Sequence, residues 1–452
     1  LSQGPEAGAA LPSFKVFDAI LLALGHAQIA WSSFHQFALP SFVRHTNALW
    51  HRHGKDAGSQ GLGRIFFLLS ELKTQGHLDD IFAPGKALSP YFAQFRSATA
   101  AAVSEALSSA TSRLTQAGKE ADAASVLGGE EELEAVRSCC SFAPLAVKHD
   151  ANCILAILHV VACYSESSND LDCIAPYLGN LAESIESLPL DDSSRDLLQS
   201  PEKFPVIDSL LSHCVDMMLS ASSSRHTLLL SVQSLITALA SHTIHLPDAV
   251  REKLSYAALR GDVMSQDSRA RKASLELLAL AKPSDDDNVH AAVEELVEIE
   301  STPLTVETIR ARIVKTRAIA RSMSKASSST PSSDAQKQST KIVVDYIISS
   351  LKLNFKPIWS ESIDALKDLA ARDGDIVWES VFQQLMLEND PLSRSGASSA
   401  GNKPSSQHQS LVPFTTSDSS MRNWTDPQLL ARQQVSGMAI SGVRTSSLGS
   451  ED

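Results

Sequence analysis

At 452 residues the chain is long enough for two to four compact domains or for one elongated array of repeats. Hydrophobic residues make up 43% and aromatics 6%; with Leu, Ala and Ser dominant, that composition favours packed helices over sheets. The net charge of −13, from 52 acidic and 39 basic residues, argues against nucleic acid covering much of the surface, and the longest apolar run, residues 19–24, is far shorter than the ~18–20 residues of a membrane span.

The first predicted helices cover residues 14–24 and 29–45, the second carrying Trp31, Phe34, Phe37 and Phe42. A polar, glycine-bearing loop over 51–63 follows, then a helix over 63–74 with Ile65, Phe66, Leu68, Leu69 and Leu72. Pro84 and Pro90 bound a break, and 88–116 is an Ala/Ser-rich helix whose small residues allow close approach of a neighbour. A helix acidic at its start opens at 130, as the helix dipole favours. Residues 152–164 are nearly continuously apolar, which predicts a helix buried on most sides. Helices over 171–185, 204–219, 226–240, 247–259 and 265–282 alternate with short polar breaks. In the last pair Gly261-Asp262 supplies the turn, and Ala270, Ala273, Leu277 and Ala281 form one face. Pairs recur at about 40 residues, a HEAT-type period. After an acidic helix over 285–300 and a basic one over 305–325, the Ser-rich stretch 326–340 reads as a flexible linker, and 392–452 as a disordered Ser-rich tail with at most a short helix at 427–433.

Residues 341–390 are the most informative. They read as three short helices, with stripes at Val343, Ile347 and Leu351, at Trp359, Ile363, Leu366 and Leu369, and at Val377, Val381, Phe382 and Leu385. Pro357 suits the first turn of the second helix, where its missing N–H has no helical partner to lose. Gly374 suits a left-handed stop, and Asp375 a cap for the third helix. Short helices with one apolar face bury it by stacking on further copies, which makes the expected fold an all-α, HEAT-like helical-repeat solenoid. The expected divisions are repeats over 1–325, the linker 326–340, further repeats over 341–391 and the tail 392–452.

The run Asn354-Phe355-Lys356-Pro357-Ile358-Trp359, followed by Val377-Trp378-Glu379, resembles the signature of the DRIM ("down-regulated in metastasis") family. Pro303-Leu304-Thr305-Val306-Glu307 with Arg310 and Arg312 resembles the segment that precedes it there. The likeness covers residues 289–385 and adds little to 1–288. Its members are very long helical-repeat proteins of the small-subunit processome, the nucleolar particle that matures small-subunit ribosomal RNA. The resemblance therefore implies a non-catalytic scaffold in ribosome biogenesis. It also implies a nucleolar location, with processome proteins, pre-ribosomal RNA and the small nucleolar RNA particle as partners. The chain is shorter than such members and begins at Leu1, so it is expected to be a piece of one. The alternative is a HEAT-repeat nuclear transport receptor or adaptor, since those are also acidic helical solenoids.

Candidate chemistry is sparse. Gly58, Gly61 and Gly63 follow no strand and read as a turn, not a phosphate cradle. His159 and Cys163 lie four apart, with Cys153 and Cys173 nearby, but no close cysteine pair joins them and their apolar neighbours favour core packing over a metal. The six cysteines show no paired framework, consistent with reduced thiols. No catalytic, cofactor, metal, membrane or small-molecule site is expected. The sharpest candidate is a basic stripe: Arg310, Arg317 and Arg321 share one helical face, with Arg312 and Lys315 on the next. It reads either as a local phosphate contact with ribosomal RNA or as a charged face paired with the acidic helix before it, the commoner fate of such faces. Phe355, Pro357, Trp359 and Trp378 read as structural anchors.

Overall fold

The computed structural model describes residues 60–389, apart from short stretches of which 118–125, 168–170, 201–203, 222–224, 282–286 and 326–333 are the longest, and four residues between 40 and 46. Among the described residues there are sixteen helices and no strand, so the fold is all-α. The predicted helices at 14–24 and 29–45, apart from residues 40, 43 and 44, and the predicted tail lie outside the described residues. The chain divides into two compact units, Leu1–Val250 and Arg251–Asp452, at a boundary the sequence reading did not mark.

The first unit holds α1 (Gln60–Thr74), α2 (Asp79–Phe82), α3 (Pro90–Ala117), α4 (Glu130–His149), α5 (Cys153–Ser167), α6 (Leu171–Glu186), α7 (Asp192–Gln199), α8 (Phe204–Ser220) and α9 (Arg225–Ser241). Helix α4 is its hub, packing on α1, α3, α5 and α6. Close approach there depends on small residues: a Cβ built on Gly63 would lie 2.8 Å from that of Ala135. Phe82 meets Phe95 and Phe142 edge-on, with centroids 6.3 and 5.4 Å apart, a favourable aromatic geometry. Helix α5 is buried on most sides, as its apolar run predicts. The short helix α7 is absent from the sequence reading, yet it carries a cap: Asp191 accepts a hydrogen bond from the Ser194 N–H at 2.8 Å.

Helix α10 (Asp248–Lys253) crosses the boundary. The second unit then contains α11 (Tyr256–Val263), α12 (Ser268–Ala281), α13 (Asp287–Ser301), α14 (Ile309–Lys325), α15 (Asp334–Leu351) and α16 (Lys356–Asn389). The expected single helix over 247–259 is thus two, and Gly261-Asp262 lies inside α11, with the turn three residues later. Successive helices pack on one another, and α15 also packs on α11 and α13.

Four further expectations are corrected here. Residues 334–340 of the expected linker belong to α15, with Ser339 and Thr340 buried; serine-rich composition did not outweigh the packing available to a helix continuing into an apolar run. The second and third helices of 341–390 form one element, α16, broken at Asp373 (φ −115°, ψ 51°). Gly374 does not take up a positive φ, so the break is a kink and not a left-handed stop. Ile363, expected in the apolar stripe, is exposed, because α16 turns Ile358, Ser362 and Ala365 inward instead.

Candidate functional site

Helix α14 carries the basic stripe, and its start is fixed locally. The Thr305 carbonyl accepts the Ile309 N–H at 3.0 Å, and the Thr305 and Thr308 hydroxyls, 2.9 Å apart, each accept the other residue's N–H. One turn later Arg312 points into the unit and is only 4% exposed. Its guanidinium donates to the Glu300 carboxylate, to the Tyr346 hydroxyl at 3.1 Å and to the Thr302 carbonyl at 3.3 Å. Glu300 also accepts from Arg271 Nε at 2.6 Å and from the Ser268 hydroxyl at 2.7 Å. Arg271, 1% exposed, completes its bonding on the Ser265 and Gln266 carbonyls at 2.8 and 3.1 Å. Burial alone would raise the Glu300 carboxyl; the two arginines and the hydrogen bonds from Arg271 and Ser268 outweigh it and hold that group below the usual carboxylate range. Burial, and then the Glu300 charge, push the Tyr346 phenol well above its ordinary value, so it stays protonated.

A second buried cluster adjoins the first through the α15 backbone. Asp345, fully buried, accepts from Tyr256 and from Arg260 Nε and Nη2, and Arg260 Nη1 also donates to Gln383 on α16. Desolvation and the neighbouring Asp345 charge raise the Tyr256 phenol, while the hydrogen bond to Asp345 is the main cause raising Arg260. Because Asp345 and Tyr346 are consecutive, one line of polar contacts runs from Gln383 (α16) through Arg260 (α11), Asp345-Tyr346 (α15) and Arg312 (α14) to Glu300 (α13) and Arg271 (α12). All six helices of the second unit are on that line.

The rest of the basic stripe is paired within the same unit. Lys315 reaches Glu298 at 2.6 Å. Arg317 reaches Glu361 at 2.7 Å and Asp364 at 3.8 Å, and Arg321 reaches Asp368 at 3.7 Å. Arg310 is exposed and has no ion-pair partner among the described residues. The acidic helix before the stripe supplies two of these carboxylates, as the pairing reading expects, and α16 supplies the other three. The stripe is therefore not one continuous cationic face, and Arg312 in particular faces the interior. Between α14 and α16 a cavity of about 10 Å³, lined by Arg312, Thr316, Arg317, Ser350, Glu361 and Ser362, has room for roughly one water.

The expected anchors separate. Phe355 is buried, in a cluster with Ile309 and Ile358, and Trp359 is half-buried with its indole N–H on the Leu353 carbonyl at 2.7 Å. Pro357 is exposed at the first turn of α16, where its backbone role remains but no core contact is needed. Trp378 is 68% exposed and is corrected as an anchor: past the Asp373 kink, Val377 and Ser380 turn inward and carry the tryptophan outward. The sequence reading missed Arg271, Glu300, Asp345, Tyr346, Tyr256 and Arg260. A signal was present in the run Ile342–Ile348, where an acid and a tyrosine interrupt β-branched residues in a helix with no polar side to hold them.

None of the six cysteines is in a disulfide, and burial pushes the Cys139 and Cys140 thiols far up. Among the described residues there is no group of three or more His, Cys, Asp or Glu placed to hold a metal, and no helix long and apolar enough to cross a membrane. No protein family, curated protein or solved structure matches the chain.

Proposed function

We propose that the chain is a non-catalytic helical-repeat scaffold acting in the small-subunit processome, the pre-ribosomal particle in which small-subunit ribosomal RNA is processed. The scaffold part rests on the polar line through all six helices of the second unit. Its charged groups are tied to one another across helices, which fixes the angles between neighbours and so the shape of the surface presented to partners. The processome part rests on the Asn354–Trp359 and Val377–Glu379 resemblance. In this reading successive helix pairs form a HEAT-like stack, located in the nucleolus, that holds processome proteins and RNA elements in register.

Within that function the RNA contact narrows. Arg312 is enclosed, and Arg317 and Arg321 face carboxylates, so Arg310 is the residue of the stripe left to reach a phosphate. Reversing Arg317 or Arg321 would set like charges together inside the chain and damage the fold. Arg310→Glu is the cleaner probe. Depletion of the intact parent protein should stop early small-subunit RNA processing, read by gradient sedimentation and RNA blotting, and Arg310→Glu should make particle association more salt-sensitive. Normal precursor levels after complete depletion would sink the processome reading. Co-sedimentation with transport factors in place of pre-ribosomes would move the scaffold to nuclear transport.

A further inference from the structure

Beyond the Asp373 kink, α16 presents Trp378 (68% exposed), Phe382 (48%) and Met386 (58%) at successive four-residue steps on one face, with the two rings stacked at 6.3 Å between centroids. Single exposed hydrophobes are ordinary, but three large ones in one helical register, two of them stacked, form a continuous exposed apolar stripe. Helix α16 is attached to its own unit from the opposite side, where Val377 and Ser380 are buried, and along the stripe's edge by Gln383 on Arg260 and Glu379 on Lys341 at 3.1 Å. The stripe is therefore not needed to attach it.

We propose that this face is the docking site for the chain's own carboxyl-terminal segment, residues 422–444, an inference independent of the processome reading. Three observations select that occupant. After Asn389, apolar residues gather in this segment as Trp424, Leu429, Leu430, Val435, Met438 and Ile440, in a stretch otherwise rich in Ser, Gly and Gln. Its charge is opposite to that beside the stripe. The segment carries Arg422, Arg432 and Arg444 against Asp426, whereas the stripe is flanked by exposed Asp375, with Glu379 beside it already paired to Lys341. A second copy of α16 would bring another Asp375 to the stripe where the segment brings arginines, which disfavours self-association. The connection is also long enough. Residues 390–426 span up to about 120 Å when extended, and the distance back along α16 from Asn389 to Trp378 is about 16 Å. A tether of this length gives an effective concentration on the order of a millimolar, enough to close a contact whose free affinity is only about 100 µM.

The test is tryptic cleavage of the full chain, with each site's rate normalised to the same site in a short synthetic peptide. Docking predicts that Arg432 and Arg444 are cut at least about tenfold more slowly than Arg394, which lies in the connection, and that Trp378→Ser with Phe382→Ser abolishes the difference. Leu429→Ser with Leu430→Ser, which alters the segment and leaves α16 untouched, should abolish it equally, so the proposal remains testable if the first variant folds poorly. Equal normalised rates at Arg394 and Arg432 in the parent would overturn it, as would protection that survives both double variants. Protection that rises with protein concentration alongside a dimer in light scattering would assign the face to a second copy and also overturn it.

Discussion

Glu300→Gln tests the buried line at its most constrained point. The parent carboxylate accepts three hydrogen bonds, two of them from arginines that are 1% and 4% exposed. Glutamine keeps the volume and one carbonyl acceptor, so no cavity opens, but two buried guanidinium groups then face each other without the charge that offsets them. Removing one member of a buried ion pair costs about 3–5 kcal/mol, and the retained acceptor places this change near the lower end, at about 3 kcal/mol. At 1.36 kcal/mol per decade, the amides of α12, α13 and α15 should exchange with deuterium about 100-fold faster, read by mass spectrometry on the full chain. Exchange in α1 and α4, in the other unit, serves as the internal reference. The pH dependence supplies a second reading. Glu300 has a folded-state pKa below its ordinary 4.5, so its contribution is fully present above that value and is lost as pH falls through the folded value. The difference between parent and variant should therefore be constant above pH 4.5 and shrink below it. An exchange ratio under threefold at neutral pH would show that the arginines are satisfied by the Ser265, Gln266 and Thr302 carbonyls alone and refute the reasoning.

Other consequences separate core from surface. Phe355→Ala should cost about 3 kcal/mol through its buried cluster, whereas Trp378→Ser, made in the Leu429→Ser/Leu430→Ser background that removes docking, should stay within about 0.5 kcal/mol in a urea titration of the second unit. A large loss at Trp378 would mean that residue is packed. Gly63→Ala forces apart the backbones of α1 and α4, since the new methyl would sit 2.8 Å from the Ala135 Cβ; a cost of about 1–3 kcal/mol in thermal unfolding is expected, and an unchanged midpoint would show that the helices move freely. Burial pushes the Cys153 and Cys214 thiols up to about 12, and Cys139 and Cys140 are raised too, so at pH 8 a disulfide reagent should reach the half-buried Cys163 and Cys173 first. Rapid labelling of Cys139 or Cys140 in the folded chain would contradict that order.

Helix existence was largely legible because apolar spacing at 3.6 residues depends on local sequence alone. The nearly continuous apolar run at 152–164 became the buried α5, and the acidic start at Glu130 became the first turn of α4. Boundaries that depend on tertiary packing were not legible. Ser339 and Thr340 joined α15 because neighbouring helices cover them, and their hydroxyls tolerate a helix by back-bonding, as Thr340 does to the Gln336 carbonyl at 3.0 Å. The outward turn of Trp378 follows from the kink at Asp373, whose side chain accepts from Thr340 on another helix at 3.3 Å. A contact 33 residues away leaves no mark in local periodicity. For the same reason the basic stripe was visible in the sequence while the carboxylates of α16 that neutralise it were not.

The buried polar residues on α15 also bear on why a helix covered on nearly every side has a single position. Ile342, Val343, Val344, Ile347 and Ile348 are all buried and chemically alike, so a rotation of the helix, or an axial slip of one turn, would exchange one apolar contact for another at modest cost. Asp345 and Tyr346 are about 100° apart around the axis and bind different neighbours, Arg260 on α11 and Arg312 on α14. Rotating α15 breaks one of these contacts immediately, and sliding it breaks both, leaving the Asp345 carboxylate buried without its partners. Each such loss costs several kcal/mol, far more than the apolar differences between registers. The same contacts continue to α12, α13 and α16, so fixing α15 fixes the orientation of the whole unit. For a protein proposed to act by the shape it holds, that constraint outweighs whatever stability an apolar interior would have added.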